Sequence, residues 1–134
     1  MESQEHQDLV KLIIEWAEIK IGPGKFSMLQ VDNSSFNAPS IFNSIPDVFY
    51  EDPSQSLVIL GEAKSINDFN TAHSLSQYKD YLNYMNNREG YIVFACRWKI
   101  IKAFKEVINS VIISNNIKLK NIPIFLNGDL GLID

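Results

Sequence analysis

Residues 45–64 constrain the fold more than any other part of the chain. Ile45-Pro46-Asp47-Val48-Phe49-Tyr50 and Leu57-Val58-Ile59-Leu60-Gly61-Glu62-Ala63-Lys64 are both β-rich runs. Between them lies Glu51-Asp52-Pro53-Ser54-Gln55-Ser56, a turn-forming segment, so the unit is predicted to be a hairpin. Side chains two apart on a strand share a face, which puts Glu62 and Lys64 together. With the turn centred near Pro53 or Ser54, Asp47 falls opposite Leu60 or Gly61. That is one same-face step from Glu62, within roughly 7–8 Å. Two carboxylates and an ammonium therefore meet at the end of a hydrophobic hairpin.

Glu62 follows an apolar run closely enough for burial to be expected, and a buried ionised carboxylate is costly unless a cation holds it. Carboxylate oxygens suit a hard cation such as Mg²⁺. Lys64 could then orient or deprotonate a water at the metal, or neutralise charge on a phosphate. The plainer use of the same three residues is a cross-strand salt bridge.

The remaining segments alternate helical and strand patterns. From Gln7 to Lys20, Leu9, Ile13, Trp16 and Ala17 form one stripe and Lys11, Glu15 and Glu18 lie opposite, which predicts an amphipathic helix. Gly22-Pro23-Gly24 ends it. Phe26 to Asp32 reads as a strand and the Asn- and Ser-rich residues 33–44 as a loop. A helix is predicted from about Thr71 to Asn86, followed by an almost purely apolar interior strand from Tyr91 to Cys96. Ile101, Phe104, Val107, Ile108 and Val111 give Trp98–Ser114 helical spacing, and Ile122 to Leu126 reads as a last strand. The order α-β-β-β-α-β-α-β predicts one α/β domain over residues 1–134, built on a mixed sheet flanked by helices.

Pro46-Asp47, fourteen intervening residues, then Glu62-Ala63-Lys64 resembles the signature of the PD-(D/E)xK nuclease superfamily. The element order is similar to that superfamily's restriction-endonuclease-like core. Gln77-Tyr78-Lys79-Asp80-Tyr81 in the second long helix is similar to the QxxxY motif of one of its branches. The resemblance implies a nuclease that hydrolyses phosphodiester bonds, with DNA the first substrate to consider. It implies Mg²⁺ or Mn²⁺ held by Asp47, Glu62 and the Ala63 carbonyl, and Lys64 beside the attacking water. Members often add an acidic residue from the first helix; Glu15 is preferred here over Glu18 because it lies nearer the apolar boundary. Many members act as dimers, so a homodimer or a larger complex is expected of so small a chain.

Independently of the resemblance, His73, Gln77 and Tyr81 recur at i, i+4 and i+8 and form a polar–aromatic stripe able to reach substrate or the water network near the metal. Leu75, Tyr78, Leu82 and Met85 form the stripe expected to face the core. Trp98, between Arg97 and Lys99, could stack on a base, although anchoring the last helix is the expected use. Arg97, Lys99, Lys102 and Lys105 concentrate positive charge at the start of that helix, and Lys118 and Lys120 make a second cluster.

Charge sets a condition on all of this. The formal net charge is −4, against what a protein gripping many phosphates needs. A nuclease with this balance requires a local basic patch, a metal over its acidic cluster, or a basic partner. An interaction module that keeps the motif but not the chemistry is the competing expectation. The single cysteine, Cys96, excludes an internal disulfide and a cysteine-based zinc site, and points to a reducing, cytoplasmic setting. No leader-like N-terminal segment and no membrane-spanning run is recognised.

Overall fold

The computed structural model describes residues 3–22, 29–32, 38–54 and 56–130. Helix α1 spans Gln4–Ile21 and starts a turn-fraction before its apolar pattern, because the Ser3 hydroxyl accepts from the His6 N–H at 3.1 Å. Gly22, at φ 83°, ends it in a conformation that a side chain would strain. Strands β1 (Gln30–Val31), β2 (Val48–Asp52) and β3 (Leu57–Ala63) follow. Then come α2 (Ala72–Met85), β4 (Gly90–Cys96), α3 (Trp98–Ser114) and β5 (Ile124–Asn127). Of the strand expected from Phe26 to Asp32, residues 26–28 lie outside the described residues, and within 29–32 the strand is confined to Gln30–Val31.

The strands stand in the order β1-β2-β3-β4-β5. β2 pairs antiparallel with both β1 and β3, and β3, β4 and β5 run parallel. The protein is thus an α/β fold with an open, mixed five-stranded sheet and three helices. Among the described residues no helix is long and apolar enough to cross a membrane.

Alternation along the strands divides two cores. Val48, Tyr50, Ile59, Val93 and Ala95 pack with Leu9, Ile13 and Ala17 of α1. Phe49, Val58, Leu60, Ile92 and Phe94 pack on the other face with Tyr78, Tyr81, Leu82 and Met85 of α2 and Phe104 and Ile108 of α3. Glu62, in step with Val58 and Leu60, belongs to the second face. Two glycines mark close approaches. A Cβ on Gly61 would lie 2.6 Å from Ile13 Cγ2, so α1 sits directly on β3 there. Gly90, at φ 143°, would bring a Cβ to 1.9 Å from the Val58 carbonyl oxygen, where β3 and β4 begin their pairing.

Candidate metal centre

The hairpin forms as predicted, but its register is shifted. Val48 pairs with Gly61 and Asp52 with Leu57, so continuing the ladder puts Asp47 opposite Glu62 rather than opposite Leu60 or Gly61. The difference arises because β2 runs on to Asp52, which moves the turn to residues 53–56. Direct opposition joins the two acids more closely than the sequence alone implied. Glu62 Oε1 accepts from the Asp47 N–H at 3.3 Å, and Asp47 Oδ2 accepts from the Ala63 N–H at 2.8 Å. Each carboxylate is thereby tied to the backbone on the other side of the hairpin.

Lys64, one residue beyond β3, directs Nζ between its neighbours. It lies 3.5 Å from Glu62 Oε2 and donates to Gln77 Oε1 at 2.5 Å. All three charged residues are buried: Asp47 is 8% exposed, Glu62 4% and Lys64 5%. Ion pairs this deep gain strength from low dielectric but lose hydration. At Glu62 the loss dominates. Burial first, and the Asp47 charge second, push its carboxyl from 4.5 up to about 8, against the lowering pull of Lys64 and of the Tyr81 hydroxyl. With both acids ionised the centre would hold one more negative charge than Lys64 offsets, so near neutral pH Glu62 keeps its proton, and a hard cation would take that proton's place.

Helix α2 supplies the inner supports. Gln77 reaches the centre through Lys64, whose ammonium it accepts from. Tyr81 is placed differently. It is fully buried, and its hydroxyl donates to Glu62 Oε1 at 3.1 Å. Burial, then the charge of Glu62, raises its pKa strongly, which keeps the hydroxyl a donor. Tyr81 therefore positions Glu62 and has no face for substrate. The helix turns 78, 81, 82 and 85 inward, and Leu75 is left 37% exposed near its first turn. His73 is exposed on that same first turn and shares no hydrogen bond with the centre.

Helix α1 contributes a residue, but not the one expected. Glu15 is exposed and lines a surface groove with Asp8, Lys11 and Leu12. Nine residues separate it from His6, half a turn out of phase at 100° per residue. It is His6 whose Nε2 lies 3.3 Å from Asp47 Oδ1. The signal was available: His6 falls seven residues before the fully buried Ile13, on the same stripe. Ser44 was also missed; its hydroxyl donates to Asp80 Oδ2 at 2.6 Å and pins the segment before Pro46 to α2.

Among the described residues no group of three or more His, Cys, Asp or Glu side chains forms a metal cluster. The oxygen donors on offer are the two carboxylates and the adjoining backbone carbonyls, a set suited to Mg²⁺ or Mn²⁺ rather than to a soft metal. Cys96 is buried at the end of β4 with its thiol pushed up to about 12 by burial, an inert core residue rather than a nucleophile. Lys118 and Lys120 lie at the opposite end of the sheet, beside Asn86, Asn87 and Glu89. No protein-family model, curated protein or solved structure matches this chain.

Proposed function

We propose that the protein is a divalent-metal-dependent phosphodiesterase acting on nucleic acid, DNA in the first instance, with a restriction-endonuclease-like fold of the PD-(D/E)xK kind. The observation that carries this is the buried opposition of Asp47 and Glu62 with Lys64 Nζ 3.5 Å from Glu62, a pair of acids that cannot both ionise cheaply without a cation. Asp47, Glu62 and the Ala63 carbonyl would hold Mg²⁺ or Mn²⁺, with the His6 imidazole beside Asp47. When bound, the cation supplies charge stabilisation to the phosphate and acidity to water.

The chain's own groups do the rest. The Ala63 N–H fixes one oxygen of Asp47, and the Tyr81 hydroxyl with the Asp47 N–H fixes one of Glu62, so neither carboxylate needs reordering. Gln77 holds Lys64 so that its ammonium faces the acids, where it neutralises charge developing on the scissile phosphate. Water adds to phosphorus, the bond to one ester oxygen breaks, and that oxygen leaves with a proton. A homodimer or larger complex fits the small size of the chain.

The net charge of −4 favours one rival, a nuclease-like module that binds a protein and cuts nothing. Calorimetric titration with Mn²⁺ separates the two. A wild-type chain that takes up the ion, with uptake lost in Asp47→Ala, supports the phosphodiesterase; equal or absent uptake in both favours the module.

A further inference from the structure

The predicted role of Trp98 as an anchor for the last helix is not what the structure gives. Ile100, Phe104 and Ile108 bury that helix, while Trp98 is 61% exposed at its first position. Its backbone is nevertheless firmly held. The Trp98 N–H donates to Asp129 Oδ2 at 2.8 Å, and Arg97 Nε donates to Asp129 Oδ1 at 2.5 Å. The turn carrying Asp129 is fixed in turn by the Gly128 N–H on the Cys96 carbonyl at 2.8 Å. A large aromatic surface is thus presented to solvent from a braced backbone, an arrangement that lowers the ordering cost of binding.

Ile66, also 61% exposed, and the buried Ile100 line the same groove as Trp98. These residues line a groove of about 280 Å³ with Arg97, Lys99 and Asp129 at its border. That volume is at the low end for small-ligand pockets, enough for one flat ring system. The groove lies beyond the same ends of β3 and β4 as the candidate metal centre. The Lys64 N–H donates to the Ala95 carbonyl at 3.1 Å, so the chain leaves β3 and β4 side by side. Ile66 follows Lys64 by two residues, and Trp98 follows Cys96 by two.

We propose that this groove binds one unpaired nucleobase of the substrate strand, stacked on Trp98, beside the phosphate presented to Asp47, Glu62 and Lys64. The proposal rests on the phosphodiesterase reading above and names its substrate as a single-stranded or frayed segment. Charge favours this occupant over a duplex. Arg97 is matched by Asp129 and by Glu5 at 3.5 Å, so the groove offers little net charge to a phosphate backbone. Stacking needs none, because every base has a π-face, whereas paired bases have theirs covered. Stacking gives an acidic chain a contribution to binding that counterion release does not supply.

The test is fluorescence anisotropy in Ca²⁺ with three labelled probes: a short oligothymidylate, an abasic strand of equal length, and a blunt duplex. Wild type is compared with Trp98→Ala and Trp98→Phe, each checked by thermal melt. Trp98→Ala should weaken oligothymidylate binding roughly 5- to 100-fold, with Trp98→Phe within a few fold of wild type. Abasic binding should not change, and wild type should prefer oligothymidylate to the duplex. The proposal is overturned if Trp98→Ala binds like wild type, loses both single strands equally, or if wild type binds no strand or prefers the duplex. Cleavage is scored separately. Metal-dependent cutting with no Trp98 effect sinks only the groove, and base-dependent binding without cutting sinks only the phosphodiesterase.

Discussion

Replacing Glu62 with Gln should make the metal-free protein more stable at neutral and alkaline pH. The folded carboxyl is pushed up to about 8, and its ordinary value is 4.5. Between those values the folded protein keeps a proton that the unfolded chain has released. Folding therefore takes up protons across that window, and the wild-type chain loses stability as pH rises through it. At 1.36 kcal/mol per pH unit, the loss is roughly 3 kcal/mol by pH 7 and somewhat more above pH 8. Gln has no such titration. Its weaker acceptance from Tyr81 and its contact with Lys64 add an offset that varies little with pH. The quantity to measure is the stability gap between Glu62→Gln and wild type, by urea unfolding in chelator at pH 5 and pH 8. The gap should move in favour of Glu62→Gln by about 3 kcal/mol or more, on the order of 10 °C in Tm for a domain of this size. Adding Mg²⁺ at pH 8 should restore the wild type and leave the variant unmoved; a cation at a hundred times its Kd contributes about 2.7 kcal/mol. A gap that stays flat, or a wild type that gains on it with rising pH, would refute the claim that Glu62 is an undercompensated buried acid.

Three other outcomes are expected. Tyr81→Phe removes the hydroxyl that fixes Glu62 and should weaken Mn²⁺ affinity on the order of tenfold by calorimetry, with substrate affinity unchanged; a selective loss of substrate binding would return Tyr81 to the role first expected of it. Glu15→Gln should leave Mn²⁺ uptake and cleavage within about twofold of wild type, since Glu15 faces away from His6; loss of metal binding would show that α1 contributes that carboxylate after all. Gly90→Ala should cost more than about 3 kcal/mol in urea unfolding, because its Cβ would meet the Val58 carbonyl at a positive φ; a neutral result would mean that the start of β4 is not so tightly packed on β3.

The sequence is most legible where pattern and burial coincide. α3 runs from Trp98 to Ser114 as its apolar spacing predicts, and β4 is an interior strand as its composition predicts. Asp47, Glu62 and Lys64 come together because strand alternation fixes their faces once the hairpin is recognised. Their register was not legible, since two more residues of pairing at Glu51 and Asp52 move the turn and change Asp47's partner. Helix faces were misread where side-chain length matters. Tyr81 was grouped by spacing with His73 and Gln77, yet its ring fills the core and only its hydroxyl reaches Glu62. Glu15 and His6 show the same limit, because periodicity gives a helix a buried stripe but not which end meets the site. Trp98 stays in solvent because α3 is already anchored by Ile100, Phe104 and Ile108. A helix-start tryptophan looks the same in sequence whether it anchors or waits for a partner.

Whether Asp47, Glu62 and Lys64 cut nucleic acid is decided by a cleavage assay. Plasmid, linear duplex, single-stranded and branched DNA would be incubated with Mg²⁺ or Mn²⁺ and wild type, Asp47→Ala or Lys64→Ala, with folding of each variant checked by thermal melt. Metal-dependent cutting of at least one substrate with an unpaired segment is expected, lost in both variants while they remain folded. Cutting that survives in Asp47→Ala and Lys64→Ala, or a folded, metal-binding wild type that cuts none of the four, would contradict it.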